Sequence, residues 1–257
     1  MTGFVVPPGY VALSEPGVEG AARATLEMPL REALAEGSFY DFAEHHADAV
    51  PLTGRGIAYA VPLSSGDRVV VRRSRHGGLL GPIRDDRFFG ATRGPRELEI
   101  SLTLRRLGVA SPEIVAYATY PAGPMFRRAD VVSREVPRSR DLAAALAALS
   151  RGDSKRLFLE ATGKLLASMS LARARHPDLN IKNVLVAHND FGGIEAFVLD
   201  VDRVWLDKGG AVSVLEANLR RFSRSALKWR RLHGLPIEEA DLLAIESTAR
   251  ELIALGQ

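Results

Sequence analysis

The sequence of 257 residues contains no cysteine, which excludes disulfides and cysteine-ligated metal sites and fits a reducing compartment. It also has no apolar run of about 18 residues, so no segment is predicted to span a bilayer. Its first residues, Met1 to Pro8, lack the basic start and long apolar stretch of a signal peptide. From these absences we expect a cytoplasmic protein.

The pattern of short apolar runs changes from strand-like to helical near the middle of the chain. Residues 1–50 look irregular, apart from a short helix near Pro29–Ala35 and an aromatic patch at Phe39–Phe42. Predicted strands then cover Ile57–Leu63, Arg68–Arg72, Ile114–Tyr120 and Ala129–Glu135, with one helix at Pro95–Leu107 that stops before Gly108. Predicted helices follow at Asp141–Leu149, at Ser154–Ala172 with Ser154 as N-cap, and over the last third, interrupted by short strands at Asn183–Ala187 and Ile194–Asp200. We predict an α+β protein of two lobes joined near Ser133–Pro137, with residues 1–50 as an N-terminal extension.

Three oxygen-bearing side chains stand at the ends of the predicted hairpin in the second half. Asp178 lies in a loop after a long helix, Asn183 starts a strand, and Asp200 ends the antiparallel partner of that strand. A hairpin of this size brings the three side chains to one edge. Mg²⁺ prefers oxygen ligands and takes only one or two carboxylates beside substrate phosphates. Asn183 and Asp200 are therefore candidate metal ligands, which leaves Asp178 to orient a hydroxyl and accept its proton.

Each of these residues has an ordinary structural alternative, because Asp and Asn near turns are usually caps or turn formers. The ordered set is more specific than its members. It reads His-x-Asp-x-x-x-x-Asn over 176–183, then an apolar strand, a turn, and a second apolar strand that ends in Asp200. This order favours a phosphoryl-transfer site.

The same set resembles the catalytic loop and metal loop of protein-kinase-like enzymes. It is more similar to the family of lipopolysaccharide core kinases that act on heptose or on 3-deoxy-D-manno-octulosonic acid (Kdo). That family has an Asp-Leu-Asn-x-x-Asn loop and an Asp-x-Asp-Arg segment, which stand here at 178–183 and 200–203. The resemblance covers roughly residues 50 to 235. Further similar segments are 70–79, Arg96-Glu97, 128–135 with Ser139 and Leu142, and 218–221.

The resemblance implies a bilobal protein-kinase-like fold, with an N-lobe at 51–135 and a C-lobe at 136–257. It also implies ATP as phosphate donor, Mg²⁺ or Mn²⁺ as cofactor, and Asp178 as general base. Pro177 stands where the family usually has a small residue, and its fixed φ is compatible with a tight loop. Residues implied to bind the nucleotide are Gly54, Gly56, Arg72, Glu97, Glu135, Asn183 and Asp200.

The nucleotide site departs from that of conventional kinases in its first half. Only five of the 34 Lys and Arg residues are lysine, and none precedes Lys155, so the usual N-lobe lysine is missing. Arg72 is the candidate replacement, with Glu97 as its partner, because an arginine can bridge phosphate oxygens. Arg72 and Arg73 could instead be ordinary exposed charges, and Gly54 and Gly56 could form a plain turn. Arg75 and His76 could meet anionic groups of the acceptor.

Two features argue against a protein acceptor. Asn180 occupies the position where Ser/Thr protein kinases carry a lysine, and no long activation segment ending in Ala-Pro-Glu follows Arg203. The implied function is therefore ATP-dependent phosphorylation of a Kdo hydroxyl of Kdo-lipid A. The alternatives are a kinase for another acceptor (core heptose, a small molecule or a protein) and a non-catalytic basic protein that binds membranes or nucleic acid.

The segment Leu215–Leu232 bears on the partner. Leu215, Leu219, Phe222, Ala226 and Trp229 recur at helical spacing and predict one buried face. The segment also carries six basic residues: Arg220, Arg221, Arg224, Lys228, Arg230 and Arg231. These form either an ordinary solvated face or a surface for anionic lipid at the cytoplasmic face of the inner membrane. Because the basic residues lack interleaved aromatics, we expect no nucleic-acid partner.

Overall fold

The computed structural model of the protein describes residues 5–53, 57–74, 88–89, 92–149 and 155–256. The chain packs as two compact units, one of residues up to Glu99 together with Glu113–Glu135, the other of Ile100–Pro112 together with the chain from Val136 onward. The first unit is built around an antiparallel sheet, and the second is mainly helical. This combination confirms the predicted α+β class.

The first unit contains one sheet whose described strands all pair antiparallel. Its strands are β1 (Tyr10–Leu13), β2 (Glu19–Arg23), β3 (Val50–Thr53), β4 (Ile57–Pro62), β5 (Arg68–Arg73), β6 (Phe88–Phe89), β7 (Ile114–Pro121) and β8 (Phe126–Arg134). Along the sheet the order is β1-β2-β7-β8-β5-β4-β3, and β6 also pairs with β8. Its helices are α1 (Glu27–Ala35), α2 (Phe39–His45) and the start of α3 (Gly94–Arg106). A 3₁₀ turn at Ala24–Leu26 precedes α1.

Residues 5–50 belong to this unit, so the expectation of an irregular segment is wrong. They supply β1, β2, α1 and α2, and the predicted helix at Pro29–Ala35 begins two residues earlier, at Glu27. The buried side chains of Leu30, Leu34 and Phe39 join the same apolar core as Val69 and Val132 of the sheet. The core explains why this segment is ordered, because burial of these side chains offsets the entropy lost on ordering the backbone.

Two features of this segment explain why its pattern was hard to read. The strand β2 has the sequence Glu-Gly-Ala-Ala-Arg, which carries no β-branched residue. The helix α2 has only seven residues and depends on a capping box, in which Ser38 Oγ accepts a hydrogen bond from the Asp41 backbone N–H. Neither feature gives a periodic apolar signal.

The second unit contains helices and two small described sheets. Its helices are the end of α3, α4 (Leu142–Ala147), α5 (Lys155–Leu171), α6 (Ala211–His233) and α7 (Glu239–Leu255). Its strands are β9 (Ser139–Asp141), β10 (Ala174–Arg175), β11 (Val184–His188), β12 (Ile194–Val198) and β13 (Trp205–Leu206). One sheet has the order β12-β11-β9, and the other pairs β10 with β13. Short 3₁₀ turns lie at Ile181–Asn183 and Val201–Arg203.

The core of the second unit is closed by tight contact between α5 and α7. A Cβ atom on Gly163 of α5 would lie 2.7 Å from the Thr248 Cβ of α7, so only glycine allows the two helices to approach this closely. Leu166 and Met169 of α5 are fully buried, as are Leu215 and Phe222 of α6. The predicted apolar face of α6 is thereby confirmed.

Most predicted elements outside residues 1–50 are found with small shifts of their ends. Asp141, predicted as the first helical residue, is the N-cap of α4, and its Oδ1 accepts a hydrogen bond from Ala144 N at 2.9 Å. Ser154, the predicted N-cap of α5, lies outside the described residues. Of the described helices, none is both long enough and apolar enough to cross a membrane.

Candidate active site

His176 joins the two loops that carry the predicted catalytic residues. Its Nδ1 accepts a hydrogen bond from the Asp178 backbone N–H at 3.2 Å, and its Nε2 lies 3.1 Å from the Leu199 carbonyl oxygen. This pairing assigns the proton to Nε2, which donates to Leu199. Burial lowers the pKa of His176 below its usual value, although the hydrogen bond to Leu199 opposes this effect. A neutral, fully buried imidazole is the form that these contacts need.

Asp178 is held by both its backbone and its carboxylate. Its backbone carbonyl accepts hydrogen bonds from Asn180 Nδ2 at 3.1 Å and from Asn183 Nδ2 at 2.9 Å. Its Oδ1 accepts one from Arg221 Nη2 at 2.6 Å, and Arg221 Nε donates to the Pro177 carbonyl at 3.2 Å. The loop therefore presents the Asp178 carboxylate in a fixed orientation, against a cation.

Asn183 and Asp200 lie at adjacent ends of β11 and β12. Val184 pairs with Val198, and Leu199 N donates to the Asn183 carbonyl oxygen at 2.9 Å, so Asp200 stands one residue beyond this contact. Asn183 closes the 3₁₀ turn before β11 instead of starting the strand, and Asp200 follows β12 instead of ending it. His176 contacts the Asp178 backbone and the carbonyl of Leu199, the residue before Asp200, so the two loops meet at one imidazole.

Asn183 and Asp200 have side-chain oxygens without a hydrogen-bond partner in the described ranges, and such oxygens suit a magnesium ion. Because Asn183 Nδ2 donates to Asp178, the amide oxygen is turned elsewhere, and it accepts no hydrogen bond from the described residues. The Asp200 carboxylate likewise has no partner among the described part of the chain. Asp200 has a φ of 54°, a left-handed conformation that costs energy in a residue with a side chain. Strain beside an unpaired carboxylate is typical of a functional residue.

No group of three or more His, Cys, Asp and Glu residues forms a cation site within the described ranges. Two oxygen ligands are nevertheless the number that magnesium commonly takes from a protein when phosphate oxygens and water complete its shell. The site therefore fits a magnesium ion that arrives with a nucleotide, not one held by the protein alone.

One face of α6 holds the loop of Asp178 at successive positions. Asn218 Oδ1 accepts a hydrogen bond from His176 N, and Asn218 Nδ2 donates to the Ala174 carbonyl, both at 3.0 Å. Arg221 contacts Pro177 and Asp178, and Ser225 Oγ accepts from Ile181 N at 3.3 Å. Trp229 packs its ring 5.5 Å from the Lys182 ammonium. These residues are three or four positions apart, so they form one stripe that follows the loop in order.

The stripe changes the interpretation of the six basic residues on α6. Arg221, predicted to face an anionic partner, is paired with Asp178, and Arg230 is paired with Glu238 and Glu239 at 3.1 and 2.7 Å. The remaining four, Arg220, Arg224, Lys228 and Arg231, are exposed and have no partner in the described ranges. The sequence signal for the stripe was available, since Asn218 and Ser225 interrupt an otherwise apolar face.

In the first unit, Arg72 and Glu97 form an ion pair. Glu97 lies in the first turns of α3 and its side chain is almost fully buried, whereas that of Arg72 is 31% exposed. Arg73 has other partners: its guanidinium lies 4.2 Å from the Tyr40 ring centroid, 3.2 Å from Asp41 Oδ1 and 3.6 Å from Asp130 Oδ1. Arg72 is therefore the arginine that pairs with Glu97 of α3, as predicted from the sequence.

The other residues predicted to bind the nucleotide either have contacts that do not indicate a ligand or lie outside the described residues. Glu135 follows β8, and its Oε2 accepts a hydrogen bond from Arg68 Nε at 2.5 Å, so the contacts of its carboxylate give no sign of a ligand. Gly54 and Gly56 lie outside the described residues. Arg75 and His76 also lie outside the described residues.

The chain is similar to known lipopolysaccharide kinases. Residues 43–249 match the sequence model of the lipopolysaccharide kinase (Kdo/WaaP) family. The chain is 31% identical over 187 residues to a 3-deoxy-D-manno-octulosonic acid kinase of Vibrio parahaemolyticus, covering 70% of this chain and 74% of that protein. It is 33% identical over 190 residues to one from Xylella fastidiosa (strain 9a5c), covering 72% and 71%. A solved structure of WaaP in complex with acyl carrier protein matches with a TM-score of 0.53 and 18% identity, over 88% of this chain and 90% of that one, which shows a shared kinase-like fold.

Proposed function

Because the chain belongs to the lipopolysaccharide kinase (Kdo/WaaP) family, we propose that it transfers the γ-phosphoryl group of ATP to a hydroxyl of Kdo in Kdo-lipid A. The family makes the protein a kinase that phosphorylates a sugar hydroxyl. The Kdo acceptor is proposed from the relatives in Vibrio and Xylella that are named Kdo kinases. Both relatives match over more than two thirds of their length.

Asp178 is the proposed general base. The acceptor hydroxyl loses its proton to the Asp178 carboxylate as its oxygen bonds to the γ-phosphorus, and the bond to the β–γ bridging oxygen of ATP breaks to release ADP. Phosphoryl transfer needs mainly positioning and charge neutralisation, and a carboxylate that is fixed from two sides supports the positioning of the hydroxyl. His176 and Asn183 would keep that carboxylate in place during the reaction.

Asn183 Oδ1 and the Asp200 carboxylate are the proposed metal ligands. A bound Mg²⁺ or Mn²⁺ would supply positive charge to the phosphate oxygens. The single observation that best supports this assignment is the hydrogen bond from Asn183 Nδ2 to the Asp178 carbonyl, because it turns the amide oxygen away from the loop. The same bond links the proposed metal ligand to the proposed base.

Arg72 is the proposed cation for the nucleotide phosphates, with Glu97 as the carboxylate that orients it. The pair has the chemistry that an N-lobe requires, since a buried carboxylate fixes a partly exposed guanidinium. We assign residues up to Glu99 with 113–135 to the N-lobe, and the second unit to the C-lobe. Glu135, Gly54 and Gly56 remain proposed nucleotide-binding positions.

The four exposed cations of α6 support a peripheral site at the inner membrane. Arg220, Arg224, Lys228 and Arg231 could approach anionic lipid headgroups, and each basic residue near such a surface contributes roughly 1 kcal/mol. We propose that the protein works at the cytoplasmic face of that membrane, where its lipid-linked acceptor is exposed.

Replacement of Asp178 tests the proposed function. With purified Kdo-lipid A and ATP, we expect Asp178→Ala to reduce phosphate transfer by at least about 100-fold, since general bases contribute this much, while ATP analogue binding survives. The matched control is Asp190→Ala, at the exposed turn between β11 and β12. Undiminished turnover in Asp178→Ala would refute the role of the base.

The same assay separates the alternatives. Phosphorylation of a core heptose, a small molecule or a protein in place of Kdo-lipid A would identify another acceptor. Failure of the wild-type protein to bind any nucleotide would favour a non-catalytic basic protein.

A further inference from the structure

Arg221 is a cation that touches the proposed base and still has donors to spare. Its Nη2 donates to Asp178 Oδ1 at 2.6 Å and its Nε donates to the Pro177 carbonyl at 3.2 Å. Its Nη1 makes no hydrogen bond to any described residue, and 35% of its side chain is exposed. A guanidinium has five N–H donors in a rigid fork, so Arg221 can hold Asp178 and bind a second anion at once.

The charges around Asp178 make a second anion difficult to place without such a cation. Asp178, Asp200 and Asp202 belong to the two loops that His176 joins, and their negative charges raise the pKa of His176 against the effect of burial. An acidic acceptor would be repelled by them. Asn180 supplies no charge, because its amide is neutral, and that amide is hydrogen-bonded to the Asp178 carbonyl and the Lys182 backbone N–H.

Lys182, the loop's own cation, has other partners. Its ammonium lies 3.9 Å from Asp141 Oδ2 and 5.5 Å from the Trp229 ring centroid. Arg221, in contrast, donates a hydrogen bond to the Asp178 carboxylate. It comes from α6, 43 residues along the chain from the base.

The position of Arg221 is fixed by its neighbours on the same helix. Asn218 and Ser225, three residues before and four residues after it, are hydrogen-bonded to the same loop and are buried. The guanidinium therefore approaches Asp178 from a helix that cannot rotate without breaking these contacts. Such a preorganised cation can select a substrate by the position of its negative charge.

We propose that Arg221 binds the carboxylate of the acceptor sugar acid while it holds Asp178, and so selects an acidic sugar whose hydroxyl lies beside the base. This inference rests on the proposed function, because it takes an acidic sugar such as Kdo as the acceptor. It assigns Arg221 two tasks, substrate binding through Nη1 and positioning of Asp178 through Nη2. A purely positioning role would include only the second.

A double-mutant cycle between the protein and the substrate separates these tasks. The two acceptors are Kdo-lipid A and the same compound with the Kdo carboxylate converted to its methyl ester, which leaves every hydroxyl in place. The proteins are the wild type, Arg221→Gln, Arg221→Lys and the control Arg250→Gln, which removes a guanidinium paired with Glu246 on α7. The measured quantity is kcat/KM for each pair, with thermal unfolding to verify that each variant is folded.

For the wild type and Arg250→Gln, we expect the ester to be a poorer acceptor by roughly 10- to 100-fold, mainly through KM, since a charged hydrogen bond is lost. For Arg221→Gln, the ratio of the two acceptors should fall close to one, and Arg221→Lys should give an intermediate ratio. If Arg221→Gln is slower but keeps the wild-type ratio, Arg221 only positions Asp178 and the inference is overturned.

Two further outcomes are also decisive. If Arg221→Gln does not fold, an Arg221→Lys variant with the wild-type ratio overturns the inference in the same way. A wild-type protein that phosphorylates Kdo-lipid A but does not distinguish its ester refutes the inference and leaves the proposed function intact. A wild-type protein that phosphorylates neither acceptor overturns the proposed function itself.

Discussion

His176 connects to Leu199 across 23 residues of sequence, through an Nε2 to carbonyl-oxygen distance of 3.1 Å. Because the same ring accepts a hydrogen bond from Asp178 N, one side chain sets the separation between the loop of the proposed base and that of the proposed metal ligand. The ring itself is buried.

We expect His176→Ala to lower the free energy of unfolding by about 2–4 kcal/mol, because it removes a buried ring and leaves the half-buried Asp178 N–H and Leu199 carbonyl without this partner. Denaturant titration measures this change, and kcat should fall in the folded protein while nucleotide affinity is kept. His188→Ala, at the exposed end of β11, is the control and should change stability by less than about 0.5 kcal/mol. Equal effects of the two substitutions would contradict a linking role for His176.

Two substitutions of Asp200 should differ in stability but have the same effect on magnesium-dependent nucleotide binding. We expect Asp200→Gly to be more stable than Asp200→Ala by about 1 kcal/mol, since glycine adopts the left-handed conformation without steric cost. Both substitutions should abolish the tighter binding of an ATP analogue that Mg²⁺ produces, because both remove the carboxylate. Calorimetric titration with and without Mg²⁺ measures the effect, with Asp190→Ala as the control. Magnesium-dependent binding that persists in Asp200→Gly would remove Asp200 from the metal site.

Arg72 and Arg73 are adjacent but should differ in their effect on nucleotide binding. We expect Arg72→Ala to weaken ATP affinity by roughly 10- to 100-fold, as for the loss of a charged hydrogen bond, and Arg72→Lys to restore part of it. Arg127→Ala, which removes an exposed pair with Glu19, is the control. If Arg73→Ala loses ATP affinity and Arg72→Ala does not, the assignment of the N-lobe cation is reversed.

Asp130 should give the first unit a distinctive pH dependence. Burial raises its pKa to about 6 from the ordinary value of 3.8, so the folded state favours the protonated carboxyl. Its contribution to stability is therefore present below pH 3.8 and is lost as the pH rises through 6, by up to about 3 kcal/mol. The difference in unfolding free energy between wild type and Asp130→Asn should follow this curve.

The control for Asp130 is Asp48→Asn, at an exposed position of the same unit. It removes a carboxyl from the surface of the same unit, so the Asp130 effect is compared with it at each pH. A flat curve for Asp130→Asn would show that the Asp130 carboxyl is not desolvated in solution.

The four exposed cations of α6 predict binding to anionic vesicles that weakens with salt. Changing Arg220, Arg224, Lys228 and Arg231 together to Gln should lower vesicle affinity by up to about 4 kcal/mol, at roughly 1 kcal/mol per residue. Co-sedimentation with vesicles of phosphatidylglycerol measures this, and salt should reduce wild-type binding. The control replaces Arg156 and Lys164 of α5, which pair with Glu160. Unchanged sedimentation of the four-fold variant would exclude this surface.

Sequence patterns predicted the elements around Asp178 because the loop, β11 and β12 are adjacent in the chain. The roles of Asp178, Asn183 and Asp200 in the site stay predictions. Arg221 was named but assigned to a surface, since the contact to Asp178 joins positions 43 residues apart. No local rule predicts such a pair before the helix is docked.

Residues 5–50 show the opposite limit of sequence patterns. Strands β1 and β2 are only four and five residues long, and β2 consists mostly of alanine and glycine, so the sequence shows no clear alternation of apolar and polar residues. They are ordered by burial against β5 and β8, which lie later in the chain. The short strands β10 and β13 were also missed. Each has only two residues and pairs with the other, so the sequence of either one alone does not indicate a strand.

The stripe of Asn218, Arg221, Ser225 and Trp229 restricts how the length of this chain can vary. A single residue inserted within that part of α6 would turn the following side chains by about 100°, so the loop would lose its support from that point on. The β11–β12 turn, where Gly192 adopts a φ of 77°, carries no such register and lies at the surface. Length differences between relatives should therefore collect at that turn and be absent from positions 218 to 229.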